Sequence, residues 1–266
     1  MKKIIIEGVS NVFIPNRINS RYTRNGIMMF WLCLAGFLWI FSESSYIPKP
    51  WNVLDATYDL IKNGFFRQLL TSTGLCLKAL AYSVVISAVI SYLSILAAFK
   101  PPMELAAKAR FLTTVGLTFL FAQITPDATA QKLALLIFGM SVFQVTSFMD
   151  VINATTKDEL DYARTLKMGD WRGAFEVNVL GKADQMFQTI RQNFAIAWMM
   201  LAMVENICRS DGGIGVVLND QNKHFHYDAI YGIQLLILML GMFLDFCLGL
   251  VKDFFFPYAK LKPQKK

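Results

Sequence analysis

The amino-acid sequence predicts an all-α membrane protein with about six transmembrane helices. Its 266 residues are 55% hydrophobic and only 17% charged. The apolar residues form long blocks instead of recurring at amphipathic spacing, and each block approaches the roughly 20 residues needed to cross a hydrocarbon core of about 30 Å. The basic residues lie between the blocks, where they orient membrane proteins. Together these observations indicate a membrane protein rather than a soluble one.

Each predicted span is bounded by polar or helix-breaking residues. No A-x-A cleavage pattern follows the first block, so we expect an uncleaved first span. A Lys-Pro-Pro sequence ends the second block and Pro126 ends the third, because proline interrupts helices. Residues 43–72 are mixed and aromatic, which indicates a segment at the membrane interface. The six predicted spans cover residues 27–41, 72–99, 106–124, 132–152, 186–208 and 228–251.

The distribution of Lys and Arg predicts the orientation. If residues 1–26 are cytoplasmic, the segments on that side hold several times more basic residues than the segments outside. The basic tail over residues 253–266 is then cytoplasmic too, as is the polar stretch over 155–181. The sequence therefore predicts a multi-pass protein of the cell inner (plasma) membrane, with a membrane domain over 27–252 and both termini in the cytoplasm.

Residues 155–181 form the longest polar stretch of the chain and lie between predicted spans four and five. Thr156 and Glu159 match the T-x-x-E capping box, so a helix is predicted to begin there. Acidic residues come first in this helix and basic residues later, as the helix dipole favours. Gly169 is expected to end the helix in a left-handed conformation.

A second short helix is predicted to follow directly. Asp170 can cap a helix that starts at Trp171, and Gly181 can end it. Judged by spacing alone, an ordinary solvated helical hairpin joining two spans is the favoured interpretation, because charged amphipathic helices are common.

Motifs of soluble catalysis are absent from the sequence, and no enzymatic activity is expected. It has no G-x-x-x-x-G-K-[ST] loop, no H-E-x-x-H motif and no G-x-S-x-G elbow. The placement of the basic residues between apolar blocks argues against nucleic-acid binding. His224 and His226 form an H-x-H pair that no other ligand cluster completes, so no metal site is predicted. The four cysteines include no C-x-x-C pair and are expected to be small apolar side chains: Cys33, Cys76, Cys208 and Cys247.

Residues 155–220 resemble the permease subunit of bacterial ABC importers, in the branch that carries nitrate, taurine, sulfonates, bicarbonate and some vitamin precursors. That family has an E-A-A-x-x-x-G motif before the penultimate span, and here residues 161–166, DYARTL, stand in its first part. Lys167 occupies the place of the motif glycine. Residues 177–180, VNVL, stand for the I-x-L-P stretch, with Gly181 in place of the proline. Further matches are Ala197-Trp198, Glu205, Gly213-Ile214-Gly215, Asn219-Asp220 and Asp245.

The resemblance implies a permease subunit that moves a small solute, such as a small anion or a vitamin precursor. The implied partners are a dimer of ATP-binding subunits, a second permease copy forming a homodimer, an external substrate-binding protein and the lipid bilayer. ATP and Mg would bind to the partner subunit, and this chain would need no cofactor. The alternative is a secondary transporter or channel that works without an ATPase.

Two sets of candidate functional residues follow. Among the expected pathway or gate residues, Glu205 is the clearest, because a carboxylate in a span must face the bundle interior or water. The alternative is an interfacial carboxylate paired with Arg209. For Asp245, pairing with a cytoplasmic lysine is expected. The expected ATPase-coupling residues are Asp158, Glu159, Asp161, Tyr162, Ala163, Arg164, Leu166, Gly169, Trp171 and Arg172. The expected pathway or gate residues are Trp198, Glu205, Gly213 and Gly215.

Overall fold

The computed structural model describes residues 21–42, 46–209 and 212–258, and within them the chain is helical. The predicted N-terminal segment and basic tail lie largely outside these residues. A 3₁₀ turn over Lys108–Phe111 follows the fourth helix, and a π-helical turn over Phe175–Leu180 follows the eighth. The α-helices are α1 Arg21–Ile40, α2 Pro50–Lys62, α3 Phe65–Leu93, α4 Lys100–Ala107, α5 Thr114–Ile124, α6 Ala128–Asn153, α7 Lys157–Thr165, α8 Asp170–Ala174, α9 Ala183–Ile207, α10 Ile214–Lys223 and α11 Tyr227–Phe255.

The core lies where α3, α6 and α9 meet. Small residues on α3 let it approach α6 closely, as is common between membrane helices. The Ser87 hydroxyl donates to the Ser141 carbonyl at 3.2 Å, and the Ser91 hydroxyl donates to the Val145 carbonyl at 3.3 Å. The buried apolar residues at this junction are Cys76, Ala79, Leu80, Leu135, Leu136, Met140, Phe194, Ala197, Leu201 and Val204.

Among the described residues, four helices are long and apolar enough to cross a membrane, or five if one bent pair counts as a span. The four are α1, α3, α6 and α11, which correspond to the first, second, fourth and sixth predicted spans. The prediction of six regular spans is therefore corrected at the third, which is bent, whereas the fifth is a continuous helix that does not meet the criterion of composition.

The third predicted span, residues 106–124, is not a single helix. The segment Lys100–Phe111 meets α5 at an angle of 109°. Leu112 and Thr113 separate the two in an extended conformation, with ψ angles of 131° and 127°. The 11 residues of α5 rise only about 16 Å, about half the thickness of a hydrocarbon core. Lys108 and Arg110, which are among the basic residues predicted to lie on the cytoplasmic side, belong to the segment before the bend.

The fifth predicted span corresponds to α9, which has 25 residues but is too polar to qualify by composition. Several of its polar side chains are instead hydrogen-bonded to neighbouring helices. Arg191 donates to both carboxylate oxygens of Asp245 on α11, at 2.6 and 2.5 Å. The expected pairing of Asp245 with a lysine is thus corrected, and Lys252 donates to Gln188 at 2.8 Å.

The first two helices lie outside this core. None of the described residues of the α1 span is fully buried, and most of its large apolar side chains are exposed. The Trp39 indole donates to the Pro48 carbonyl at 2.9 Å and connects the end of α1 to α2. Val53 of α2 is buried and α2 packs along α11, whereas Trp51 and Tyr58 are exposed. This arrangement fits the helix at the membrane interface that the aromatic segment predicted.

Candidate functional site

Residues 155–181, the polar hairpin, begin with the predicted capping box. The Thr156 hydroxyl accepts from the Glu159 backbone N–H at 3.3 Å, and the Glu159 carboxylate accepts from the Thr156 N–H at 3.0 Å. The predicted start of α7 is therefore confirmed. Because the box satisfies two backbone donors that the helix leaves unpaired, the start of α7 is well defined.

Two side-chain contacts fasten the start of α7 to the chain segment that leads into α9. Lys182 donates to both Glu159 oxygens, at 2.9 and 3.1 Å, and only 9% of the lysine side chain is exposed. The Thr155 hydroxyl donates to the Asn178 side-chain oxygen at 2.9 Å. The hydrogen bond from Lys182, together with that from the Thr156 backbone, holds the pKa of Glu159 below its usual range. The hairpin is thus closed at its base.

The turn between α7 and α8 differs from its prediction. Lys167, not Gly169, adopts the left-handed conformation, with φ at +56°. Gly169 is extended, with φ at −66° and ψ at 159°, and it precedes α8 as the N-cap, without a side-chain cap. Asp170 is therefore the first residue of α8 rather than its cap. The left-handed residue stands where the E-A-A-x-x-x-G motif carries glycine, the residue that adopts this conformation most easily.

Apolar side chains at the tip of the hairpin divide into an inner and an outer group. Ala163 is buried, and a Cβ atom placed on Gly173 would lie 3.6 Å from the Cβ atom of Ala163. These two small residues let α7 and α8 pack closely. Tyr162, Leu166 and Trp171 are instead 67%, 53% and 76% exposed. Such a group of exposed large apolar side chains is typical of a contact surface, and Trp171 lines a groove together with the end of α3.

Charged side chains surround the exposed apolar tip. Arg164 pairs with Asp161 at 3.0 Å, and Arg172 pairs loosely with Glu176 at 3.9 Å. Both pairs join residues one helical turn apart, and Asp158 adds negative charge in the first turn of α7. Surface pairs of this kind contribute little to stability, so they leave the charges available to orient a partner.

The hairpin returns to the bundle through the π-helical turn. The Gly181 N–H donates to the Glu176 carbonyl at 2.9 Å, five residues back. Gly181 ends this turn in a right-handed conformation, with φ at −66°, and α9 starts two residues later. A Cβ atom on Gly181 would lie 2.7 Å from the Val177 carbonyl oxygen, so glycine is needed here for space rather than for a left-handed turn.

A second cluster lies inside the bundle, around Glu205 at the end of α9. Only 2% of Glu205 is exposed. Its carboxylate accepts from the Gly215 backbone N–H at 2.9 Å, in the first turn of α10. The Ser72 hydroxyl of α3 accepts from the Ile214 N–H at 3.2 Å, and this N–H is another backbone donor that has no partner within α10. Glu205 and Ser72 therefore cap α10 from two other helices, and a negative charge at this end suits the helix dipole.

Glycine is required on both sides of this cap. Gly213 has φ at +125°, and a Cβ atom there would lie 2.5 Å from the Glu205 carboxyl carbon. At Gly215 a Cβ atom would collide with the Ala202 backbone carbonyl. The Gly-x-Gly pattern therefore lets the backbone cover the carboxylate and lie directly against α9.

A cavity of about 570 Å³ adjoins the Glu205 cluster. The lysines among its described lining residues, Lys78 and Lys132, were not predicted from the sequence as site residues. Lys132, only 3% exposed, donates to the Gly212 carbonyl at 2.9 Å. Lys78 lies near the middle of α3, and an isolated charge inside an apolar block is the signal that could have identified it. We call this space the lysine cavity. Its lining residues include Arg67, Gln68, Thr71, Ser72, Lys78, Thr129, Lys132, Glu205, Gly212 and Gly213.

Other candidate residues lie apart from this cavity. The Trp198 indole donates to the Ile237 carbonyl at 3.2 Å, and the ring lies against Gly241 of α11, so Trp198 packs between helices. Arg209 pairs with Asp220 at 2.7 Å. The alternative in which Arg209 neutralises Glu205 is therefore corrected.

The His224–His226 pair does not form a metal site with its surroundings. The His226 Nδ1 atom lies 2.9 Å from the Gln221 side-chain oxygen, and the two imidazole rings are 5.8 Å apart. Across the described ranges of the chain, no group of three His, Cys, Asp or Glu side chains could hold a metal ion.

The helical fold is similar to that of a chain in a solved ABC transporter structure. It matches the crystal structure of an amino acid ABC transporter with histidines, with a TM-score of 0.60 and 14% sequence identity, over 74% of this chain and 96% of the matched chain. No protein-family model and no curated protein matches the sequence.

Proposed function

We propose that this chain is the permease subunit of an ATP-driven importer and that the polar hairpin couples it to an ATP-binding subunit. The observation that carries the proposal is the hairpin itself: a closed, capped element whose tip exposes Tyr162, Leu166 and Trp171. A membrane subunit without a nucleotide site needs a rigid contact through which ATP chemistry can move its helices. The fold match to an ABC transporter agrees with this role.

The proposed complex contains two copies of this chain, two ATP-binding subunits that hold ATP and Mg, and an external substrate-binding protein. It lies in the plasma membrane with the hairpin and both termini in the cytoplasm. In this arrangement α9 is a span, and its polar side chains are tolerated because they face protein or a water-filled pathway. Lys167 departs from the motif glycine in residue type, but its left-handed conformation supports the correspondence of this turn with the motif of the importer permeases.

The lysine cavity supports a small anion as the cargo. Among its described lining residues, Arg67, Lys78 and Lys132 are cationic and Glu205 is the carboxylate. Glu205 already accepts a hydrogen bond from the α10 backbone, so its charge is partly satisfied. A positive excess at membrane depth attracts negative solutes and rejects cations. We place the pathway of the importer along this side of α3.

Replacing Trp171 with alanine tests the coupling role. A central aromatic side chain in an interface contributes about 2 kcal/mol or more, so Trp171→Ala should weaken binding of the ATP-binding subunit and ATP-driven uptake by about 10-fold or more. Trp51→Ala is the matched control, because Trp51 is similarly exposed, at 60%, on α2. Co-purification in mild detergent and uptake into liposomes provide the measurements.

Three results would contradict the proposal. The first is normal uptake by Trp171→Ala; the second is labelling of a cysteine at position 171 by an impermeant reagent from outside the cell. The third is uptake driven by an ion gradient in liposomes that contain only this chain, which would identify a secondary transporter instead.

A further inference from the structure

A second cavity, of about 440 Å³, lies beneath the bend between α4 and α5 and is separate from the lysine cavity. Its volume falls in the range of about 300–1,000 Å³ that is typical of small-molecule sites. Ser141 supplies the one hydroxyl side chain among its described lining residues. We call it the apolar cavity. It is lined by Ile86, Ile90, Ala106, Ala109, Phe121, Ala134, Ile137, Phe138, Ser141, Val142 and Val145.

The bend sorts apolar and basic side chains to different sides. Ala106 and Ala109 line the cavity, whereas Lys108 and Arg110 between and beside them are exposed. The Arg110 guanidinium lies 5.1 Å from the centre of the Phe111 ring. Two exposed cationic residues therefore neighbour, along the chain, two residues that line an apolar space.

The surroundings of the bend match an in-plane helix at a membrane surface. Leu105, Phe111 and Leu112 are 69%, 76% and 56% exposed, next to the cations. Over residues 100–124 the sequence has the bases Lys100, Lys108 and Arg110 and one acid, Glu104. Exposed apolar side chains interleaved with basic ones are typical of elements that lie at the boundary between headgroups and acyl chains.

We propose that this site holds an anionic phospholipid of the leaflet on the side of the basic loops. One acyl chain occupies the apolar cavity between α3, α5 and α6, and the lipid phosphate contacts Lys108 and Arg110. The cations select a negative headgroup over a zwitterionic one, because basic residues at a bilayer surface attract anionic lipids. An aqueous solute is a poorer occupant, since it would lose its hydration against an almost wholly apolar lining.

The test compares lipid binding by variants of the delipidated, detergent-purified protein. Phosphatidylglycerol or phosphatidylcholine is titrated in, and native mass spectrometry counts the bound lipids. The wild type should bind one phosphatidylglycerol molecule tightly per chain in this titration. Lys108→Gln combined with Arg110→Gln should weaken that binding about 10- to 30-fold, and should change phosphatidylcholine binding less than about 2-fold. Arg21→Gln combined with Arg24→Gln removes the same charge from α1 and should leave phosphatidylglycerol binding unchanged.

A cavity-filling variant separates the acyl-chain site from the charges. Ala109→Trp should abolish retention of the lipid although both cations remain, and Ala107→Trp is its control because Ala107 does not line the cavity. Unchanged thermal unfolding would show that each variant is folded; if Ala109→Trp unfolds, Ala109→Leu replaces it. Equal affinity for both lipids, equal losses in the two charge variants, or full retention by the folded cavity-filling variant would each overturn the proposal.

Discussion

Two glutamates fasten helix starts in this protein, one in the polar hairpin and one inside the bundle. Glu159 accepts from the Thr156 backbone and pairs directly with Lys182, and 43% of its side chain is exposed. Glu205 accepts from the Gly215 backbone and is 2% exposed. The lysine near Glu205 is Lys132, which donates to a backbone carbonyl.

The different exposure of the two glutamates determines how much each contact contributes to stability. Water competes for Glu159, so its ion pair adds little energy and acts mainly by fixing the geometry of the hairpin base. Glu205 is almost fully buried, and loss of its carboxylate would leave the buried Gly215 N–H without an acceptor. The bundle contact should therefore tolerate substitution much less well than the hairpin contact.

Removal of the buried carboxylate is the largest expected effect. Glu205→Ala should lower the free energy of unfolding by about 3 kcal/mol, because the Gly215 N–H and the neighbouring Lys132 lose a buried acceptor and counter-charge. Glu205→Gln keeps an acceptor and should cost less. Thermal or denaturant unfolding in detergent measures both; equal stability of Glu205→Ala and the wild type would break the comparison.

The glycines that cover Glu205 come next. Gly215→Ala places a methyl group against the Ala202 carbonyl and should cost about 2 kcal/mol, as overpacking of a close contact does. The control is Gly36→Ala in α1, where no heavy atom lies within 4 Å of the added group. A neutral Gly215→Ala variant in the same unfolding experiment would show that α10 can move away from α9.

A smaller, pH-dependent effect is expected in the hairpin. The pKa of Glu159 is lowered in the folded state, so its stabilisation is complete above the usual carboxyl pKa of about 4.3 and is lost as the pH falls through the folded value. Lys182→Met should lower hairpin stability by about 1 kcal/mol at pH 7 and weaken this acid dependence. Hydrogen exchange of the α7 amides between pH 7 and about pH 3 checks both points, because the range must extend below the usual carboxyl pKa; an identical profile in the variant would contradict them.

The smallest effect should be a gain. Lys167→Gly removes the cost of a left-handed backbone and should stabilise the hairpin by about 1 kcal/mol. Gly169→Ala should be close to neutral: its φ is ordinary and the added methyl group meets nothing within 4 Å, but the gain of about 0.5 kcal/mol from a stiffer unfolded chain is offset because alanine is a poorer N-cap than glycine. Exchange of the turn amides is the measurement. If Lys167→Gly is destabilising while Gly169→Ala is not, the lysine side chain contributes a contact of its own.

Local features of this chain could be predicted from its sequence because their causes are local. The capping box follows from Thr156 and Glu159, three residues apart, and four spans follow from uninterrupted apolar blocks. The bend at Leu112 and Thr113 could not be predicted, since no proline or glycine marks it. In a hydropathy profile the residues on both sides of the bend form one apolar segment.

The candidate sites were predictable only in part, because their contacts join distant residues. Lys132 reaches Gly212 across 80 residues, and Ser72 meets Ile214 across 142. Neither separation leaves a periodic trace in a single sequence. Likewise, the sequence alone does not show that Ala163 is buried against Gly173, whereas the adjacent residue Tyr162 is exposed.

The π-helical turn has an evolutionary consequence. It contains one more residue per hydrogen-bonded ring than an α-helical turn, and it joins the hairpin directly to α9. Deleting one residue of Phe175–Leu180 would convert the π-helical turn to an α-helical turn and leave the hairpin in nearly the same direction, because the wide turn absorbs the extra residue locally. A deletion inside α7 would instead rotate the following residues by about 100° around the helix axis. The sequence of this protein can therefore lose a residue in the π-helical turn with less disturbance of the hairpin than a loss inside α7 would cause.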